Sequence, residues 1–274
     1  MKIHPTAIID PKATLAADVQ VGPFCVVDGA VEIGSGCRLD ASCRIIGPLS
    51  MGQRNTVHSY AVLGDTAQDL KYRGESSRVT IGDDNIFREG VTVHRAVGHD
   101  GVTAIGDRCY LMANSHVGHN ARLGNDVALI NGALIGGHAD IADRAIVGGN
   151  CAVHQFCRVG RMAMISNSSS HNTNIPPFVI VMVTNKFLQL NVVGLRRGGV
   201  PSKNINALKA MFQFLYRTHG DKPLARAIEM LPPELAEVPE VREHVAFSQQ
   251  CKRALARFEP WSGREKEKGG VAED

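Results

Sequence analysis

A period of six residues constrains this chain more than any other feature. Counting in sixes from Ile3 meets Ile9, Leu15, Val21, Val27, Ile33, Leu39, Ile45, Met51, Val57 and Leu63, all apolar. The same phase returns at Ile81, Phe87 and Val93, and again at Ile105, Leu111, Val117, Leu123, Leu129, Ile135, Ile141, Val147, Val153, Val159 and Ile165. With 44% hydrophobic residues, independent placement would break such a series within a few steps. Glycine often follows the aliphatic residue, as at Gly22, Gly34, Gly52, Gly82, Gly106, Gly124 and Gly136, and a small residue stands four places after it. This pattern predicts a parallel β-helix, in which three short strands make a coil of about 18 residues.

The small position accounts for the cysteines. Six of the seven (Cys25, Cys37, Cys43, Cys109, Cys151 and Cys157) fall there, and none has CxxC spacing. They are expected as small inward-facing hydrophobes rather than redox or metal ligands. Aromatics are only 5% of the chain, which suits a narrow core filled by aliphatic side chains.

The hexad keeps its phase across two interruptions, which predicts loops over 64–80 and 95–104 protruding from an intact coil. After Ile165 the stretch "SNSSSHNTNIPPF" reads as a polar turn region. From Ser202 the spacing Ile205, Leu208, Met211, Phe212, Leu215 is helical. Ser202 and Asp221 are candidate N-caps, 241–258 is a further helix, and "EKEKGGVAED" reads as a frayed tail. The expected division is a mainly β unit over 1–190 and a C-terminal α-helical domain over 191–274. A net charge of +3 argues against a nucleic-acid-binding protein. The N-terminus lacks a signal-peptide pattern and no apolar run approaches ~18 residues, which predicts a cytoplasmic protein without an integral membrane segment.

His119 and His138 are 19 residues apart, one coil plus one residue, so their rings are expected on one strip of adjacent rungs ~4.8 Å apart. His154 follows two rungs above His119, and His116 is placed nearer a corner. A row of imidazoles serves as general base, as substrate donors or as metal ligands. Structural histidines bonded to backbone are the plainer alternative.

The repeat resembles the hexapeptide-repeat family, whose coils are left-handed. Within it, hexapeptide-repeat carbonic anhydrases hold zinc on three histidines between subunits. The strings "HPTAIID", "QDLKYRGE", "VTVHR", "NSHVGHN", "GGHADI", "AVHQFC", "IPPFVI" and "NVVGLRRGG" resemble, in order and spacing, the UDP-N-acetylglucosamine 3-O-acyltransferase family over nearly the whole chain. That resemblance implies a metal-free, cofactor-free homotrimer with clefts between subunits. It would move an (R)-3-hydroxyacyl group from the phosphopantetheine of acyl carrier protein to the sugar 3-hydroxyl of UDP-N-acetylglucosamine, the first step of lipid A synthesis.

By motif position, His119 resembles the family's general base, Gly137 its oxyanion donor and His138 a substrate-positioning group. Gln68, Asp69 and Lys71 resemble sugar and acyl contacts, His116, His154 and Gln155 other cleft positions, and Met164 a residue of the acyl groove. Asn191 and Arg197 match the segment that holds the nucleotide. Between Lys186 and Arg226 stand eight Lys or Arg and one acid, Asp221, a surface suited to an acidic carrier protein.

Four features depart from the family pattern. Asn120 stands where an Asp usually follows the catalytic histidine, Asn167 replaces a Gly at the far end of the groove, and "SNSSSHN" is more polar than the usual segment. Val193 and Gly198 replace an acid and a second Arg. Asn167 predicts a shortened groove and an acyl chain of order ten carbons. Asn120 leaves open a more nucleophilic acceptor, such as a 3-amino sugar nucleotide. A non-catalytic β-helix that binds a carrier protein is the reading from another class.

Overall fold

The computed structural model describes residues 2–260. It is a left-handed parallel β-helix closed at its C-terminal end by short helices. Each coil carries one strand in each of three parallel sheets, here faces A, B and C. One coil, for example, runs through Tyr110–Leu111 on face A, His116–Val117 on face B and Arg122–Leu123 on face C. The next coil stacks on it in register, pairing Leu111 with Leu129, Val117 with Ile135 and Leu123 with Ile141.

Every hexad residue from Val21 onward is buried, and together they form one continuous core. The six cysteines of the small position are buried free thiols. Five of them also contact a corner carbonyl as S–H donors: Cys25 to Asp40 O (2.7 Å), Cys37 to Gly52 O (3.1 Å), Cys43 to His58 O (3.2 Å), Cys109 to Gly124 O (3.1 Å) and Cys151 to Ser166 O (2.8 Å). The thiol thus fills a small space and offers the carbonyl a donor that valine or alanine could not.

The corner between faces C and A shows why glycine follows the aliphatic residue. Asp83 Oδ1 accepts the Gln53 N–H, Asp107 Oδ1 the Asp83 N–H, Asn125 Oδ1 the Asp107 N–H and Asp143 Oδ1 the Asn125 N–H, each at 2.8 Å. Each carboxylate or amide reaches back one rung, into the space where a Cβ on Gly52, Gly82, Gly106 or Gly124 would stand. The following residue has positive φ, and there Arg54, Asp84, Arg108, Asp126 and Arg144 alternate in charge. Arg54 bonds Asp84 and Arg108 bonds Asp126 across rungs.

Several boundaries differ from expectation. The first excursion ends earlier than 80, because Ser77–Ile81 is already a strand of face C. The second ends earlier than 104, because Gly101–Ile105 pairs with it from Ser77↔Gly101 to Ile81↔Ile105. Neither segment shows hexad alternation beyond its last residues, so the extra ladder was invisible to the period. The polar region after Ile165 is not purely turn: Ser170–His171 pairs with Ala152–Val153 on face B, and Val179–Val183 continues face A. Lys186–Leu190 then turns back antiparallel and pairs with Arg257–Phe258. Residues 241–258 are therefore not one helix: Pro239–Gln250 is helical and 257–258 is a strand. The frayed tail expected over 265–274 lies outside the described residues.

Ser202 and Asp221 are not N-caps. The helices Ser202–Gln213 and Leu224–Glu229 begin behind Pro201 and Pro223, whose fixed φ sets the entry. A π-helical turn, Phe214–Thr218, follows the first of these and packs Tyr216 against Phe187 and Phe258. No helix among the described residues is long and apolar enough to cross a membrane.

Gly106→Ala is expected to destabilise the coil by about 1–3 kcal/mol. Its Cβ would stand 2.6 Å from Asn125 Oδ1 and 2.7 Å from Gly124 O, and displacing that amide unbonds the Asp107 N–H. Denaturant titration checks this, and an unchanged midpoint would contradict the corner argument.

Two buried histidines make the fold acid-sensitive. His244 donates Nδ1–H to Pro177 O (3.0 Å) and accepts Tyr216 O–H (2.7 Å), while His171 accepts the Asn185 N–H (3.1 Å) and contacts Ser169 Oγ (2.8 Å). Burial pushes each down to about 4. In the unfolded chain such rings titrate near ~6.5, so below that pH the unfolded state binds more protons than the folded one. Stability is full above ~pH 6.5 and falls on the way to about 4. Urea midpoints measured from pH 7 to pH 5 should decline, and a flat profile would show that these rings are not held neutral.

Candidate active site

The corner between faces B and C lacks the Asx ladder. Its first turn position is occupied in successive coils by Arg95, His119, Gly137 and Gln155, and its second by Ala96, Asn120, His138 and Phe156. The rungs are joined by His138 N–H to His119 O (2.9 Å) and Phe156 N–H to Gly137 O (3.0 Å). His119 thus lies in the turn, because Gly118 follows inward Val117 and the chain bends over the next two residues. His116 is corrected accordingly: it is an outward strand residue of face B, paired between Thr92 and Leu134, and not a corner residue. The two histidines of "SHVGH" lie on a face and on its edge.

His119 and His138 do share one strip. Their rings meet edge to face with centroids 5.3 Å apart, and His138 stacks on Phe156 at 4.5 Å. His119 is buried, and its Nδ1 lies 2.9 Å from Asn120 Oδ1. Its Nε2 faces Asp69 Oδ2 at 3.6 Å. The first excursion delivers that carboxylate through its own turn: Asp69 Oδ1 accepts the Lys71 N–H (2.7 Å) and Asp69 O the Tyr72 N–H (3.0 Å), leaving Oδ2 for the histidine. Gln68 and Lys71 flank it, exposed.

Beside His119, burial lowers His138 and pushes His116 down to about 4, with the neighbouring histidines adding to the effect. His116 Nδ1 contacts Thr92 Oγ1 at 2.8 Å. Both shifts favour the neutral ring near pH 7.

Gly137 is glycine because the His119 ring covers it: a Cβ there would overlap Nε2 and Cε1. Its N–H occupies the position that the Asx ladder caps at the other corner. Here the residue one rung above is Gln155, and among the described residues no acceptor takes the Gly137 N–H. A proton acceptor and an unbonded backbone donor therefore stand side by side, an arrangement suited to addition at a carbonyl.

His94 was missed as a site residue, although it stands in "VTVHR". It is buried, donates Nδ1–H to Thr66 O (2.6 Å) and meets the His116 ring at 5.3 Å, tying the start of the first excursion to the row. His154 is exposed, with Nδ1 on Gln155 O at 3.1 Å.

The remaining candidates are not on this edge. Met164 points outward from face A, and Asn167 lies at the corner between A and B, where Oδ1 accepts the Gly149 N–H (2.7 Å). Asn191 is buried as the N-cap of Val192–Arg197, accepting the Gly194 N–H (2.9 Å) and donating to Met162 O (2.9 Å). Arg197 is exposed at the end of that helix, beside the C–A corner, where Arg144 donates to Gly198 O (3.0 Å). At Gly198 a Cβ would meet Met162 Cε, the end of a flexible side chain. Among the described residues no group of three His, Cys, Asp or Glu converges as a metal-ligand set.

Residues 174–256 match the second domain of the family described as UDP N-acetylglucosamine O-acyltransferase. The chain is 40% identical over 259 residues, 93% of its length and 99% of the relative, to the acyl-[acyl-carrier-protein]–UDP-N-acetylglucosamine O-acyltransferase of Thermodesulfovibrio yellowstonii. It is 37% identical over 257 residues to the enzyme of the same name from Pseudomonas paraeruginosa, again 93% of this chain and 99% of the relative. Among solved structures, that of LpxA from Acinetobacter baumannii superposes with TM-score 0.88 at 33% identity, covering 94% of this chain and all of the other. The UDP-N-acetylglucosamine acyltransferase of Francisella novicida superposes with TM-score 0.88 at 31% identity over 99% of both chains.

Proposed function

Because the chain belongs to the family of acyl-carrier-protein-dependent UDP-N-acetylglucosamine O-acyltransferases, we propose that its site transfers a 3-hydroxyacyl group to the sugar 3-hydroxyl of UDP-N-acetylglucosamine with His119 as the base. In this reading His119 Nε2 takes the proton as the hydroxyl oxygen adds to the thioester carbonyl. The Gly137 N–H bonds the oxyanion, and Asp69 steadies the imidazolium. Collapse breaks the C–S bond, His119 returns the proton to the departing sulfur, and the ester remains. The observation that carries this is the pairing of a buried imidazole with the uncapped N–H of Gly137. No resident metal or cofactor enters the steps, since the acyl group arrives on the phosphopantetheine of the carrier protein.

The same geometry supports a homotrimer. The outward residues of face A from the fifth coil onward are Ile86, Tyr110, Ala128, Ile146, Met164 and Ile180, and face B presents Val62, Thr92, His116, Leu134 and Ala152. Face C presents Thr80 and Ala104 and then the charged Arg122, Asp140 and Arg158. Packing face A of one copy on face B of the next, around a threefold axis at the A–B corner, buries both apolar faces. It also brings the B–C corner with His119 to the C–A corner of the neighbour, with its Met162, Arg144 and Arg197. Met164 then faces the acyl chain, Arg197 the pyrophosphate, and Asn167 shortens the groove. His154, Gln155, Gln68 and Lys71 frame the sugar, and the basic surface from Lys186 to Arg226 receives the acidic carrier protein.

The purified protein is expected to acylate UDP-N-acetylglucosamine from 3-hydroxyacyl carrier proteins, with a preference of order ten carbons, and His119→Ala to lose at least ~10²-fold in kcat. Running the 3-amino analogue beside the natural acceptor decides between ester and amide. A folded protein that turns over neither acceptor would sink the reading. Asn167→Gly should move the preference to longer chains, measured by competition between donors.

The backbone donor can be tested without touching Gly137. Gln155→Asn places an Asx above Gly136–Gly137, as Asn125 stands above Gly106–Asp107, and should cap the N–H. The expected result is a kcat loss of order 10² beyond that of Gln155→Ala, with thermal stability unchanged or raised. Equal kcat in the two variants would remove Gly137 from the mechanism.

A further inference from the structure

The second excursion and the base are joined by one amide. Asn120 Oδ1 accepts the Val97 N–H (2.9 Å) while its Nδ2 donates to Val97 O (3.1 Å), a two-point contact that closes the amide on the peptide. That contact fixes which end of the side chain is oxygen, because the N–H requires an acceptor and the carbonyl a donor. The same Oδ1 lies 2.9 Å from His119 Nδ1. An amide oxygen only accepts, so the ring must carry its proton on Nδ1 and leave Nε2 with a lone pair. The backbone of Asn120 is pinned too, at φ +60, with its N–H on Thr103 Oγ1 (2.8 Å).

We propose that Asn120 is a positioning residue for the acyl transfer: clamped on the Val97 peptide, its amide locks His119 in the Nδ1–H tautomer with Nε2 turned to the acceptor hydroxyl. The proposal rests on the reading of His119 as base. It also explains why an amide serves here in place of a carboxylate. A carboxylate would accept from Val97 N–H and from His119 but set its second oxygen against Val97 C=O, loosening residues 96–100 where they cross the first excursion through Asp100 N–H to Ser76 O (2.7 Å). The amide keeps the loop seated and orients the ring, without adding a negative charge behind it. The charged and titratable groups that do face His119 are Asp69 from the first excursion, His138 from the next coil and His116 from its own coil.

Two variants retain the left-handed backbone, Asn120→Gly and Asn120→Asp. Asn120→Gly should lower kcat at least about tenfold with KM within about twofold, because the ring loses its orientation and not the substrate its contacts. Asn120→Asp should shift the acid limb of the kcat/KM profile upward by about one pH unit, since a carboxylate favours the imidazolium. Nitrogen NMR of the imidazole, in the intact protein above its titration, reads the tautomer directly. The expected wild-type signature is a protonated Nδ1, giving way to mixed tautomers in Asn120→Gly. A wild-type ring protonated on Nε2, wild-type kcat in Asn120→Gly, or an unmoved acid limb in Asn120→Asp would each overturn the proposal. His119→Ala separates the two readings. If it abolishes turnover while the wild-type ring proves to be Nε2–H, the base stands and the clamp falls. If it retains turnover, both fall.

Discussion

In a stack of parallel rungs, a backbone amide away from solvent needs an acceptor in a neighbouring rung, and this requirement organises the molecule. Between strands the ladder meets it automatically. At the C–A corner the chain turns away, and the N–H of the first turn residue is met by an Asx side chain reaching back from the next coil. That reach occupies the place of a Cβ, so the residue before it must be glycine. Aliphatic, glycine, Asx is therefore one physical unit. The aliphatic side chain fills the core, the glycine makes room, and the Asx satisfies the amide below.

The candidate site lies at a corner where this unit is incomplete. Along the B–C edge the rung above Gly137 offers Gln155, one methylene longer than an Asx, and the N–H stays unbonded among the described residues. The His119 ring packs beside it, over Gly137. On the proposed mechanism, reactivity here comes from withholding a structural hydrogen bond in a repetitive corner. The stability for doing so comes from the coils on either side, whose core residues are buried without interruption. Two excursions then close over the gap, one supplying Asp69 to Nε2 and the other held by Asn120 behind Nδ1.

The hexad made the fold legible, because an inward side chain every six residues has few other solutions, and it placed His119 beside His138 correctly. It could not see structure that lacks the period. Residues 77–80 and 101–104 form a ladder by pairing with each other, a long-range event with no local signal. The strand Ser170–His171 hid in a polar run because its inward residue is a histidine whose two nitrogens are both satisfied by neighbours. The helix starts were misread for a different reason: Ser202 and Asp221 looked like caps, but Pro201 and Pro223 set the backbone, and proline before a helical run was the signal to weigh. His116 went to the wrong place by one step of phase. Inward Val117 puts its predecessor outward on the strand, not in the turn.

What one chain keeps apart says as much as what it joins. His119, Met164 and Arg197 occupy three different parts of a triangular prism, the B–C corner, face A and the C–A corner, and no bend of a rigid stack can bring them together. In the later coils face C presents Arg122, Asp140 and Arg158 while A and B are mostly apolar, so the two faces suited to burial meet at the A–B corner. Closing them against each other in a ring puts the B–C edge of one copy at the C–A edge of the next. In the proposed trimer the base comes from one prism and the Arg197 guanidinium from its neighbour. In that arrangement a monomer would be folded but incomplete, because the apolar faces buried on assembly would also compose the cleft.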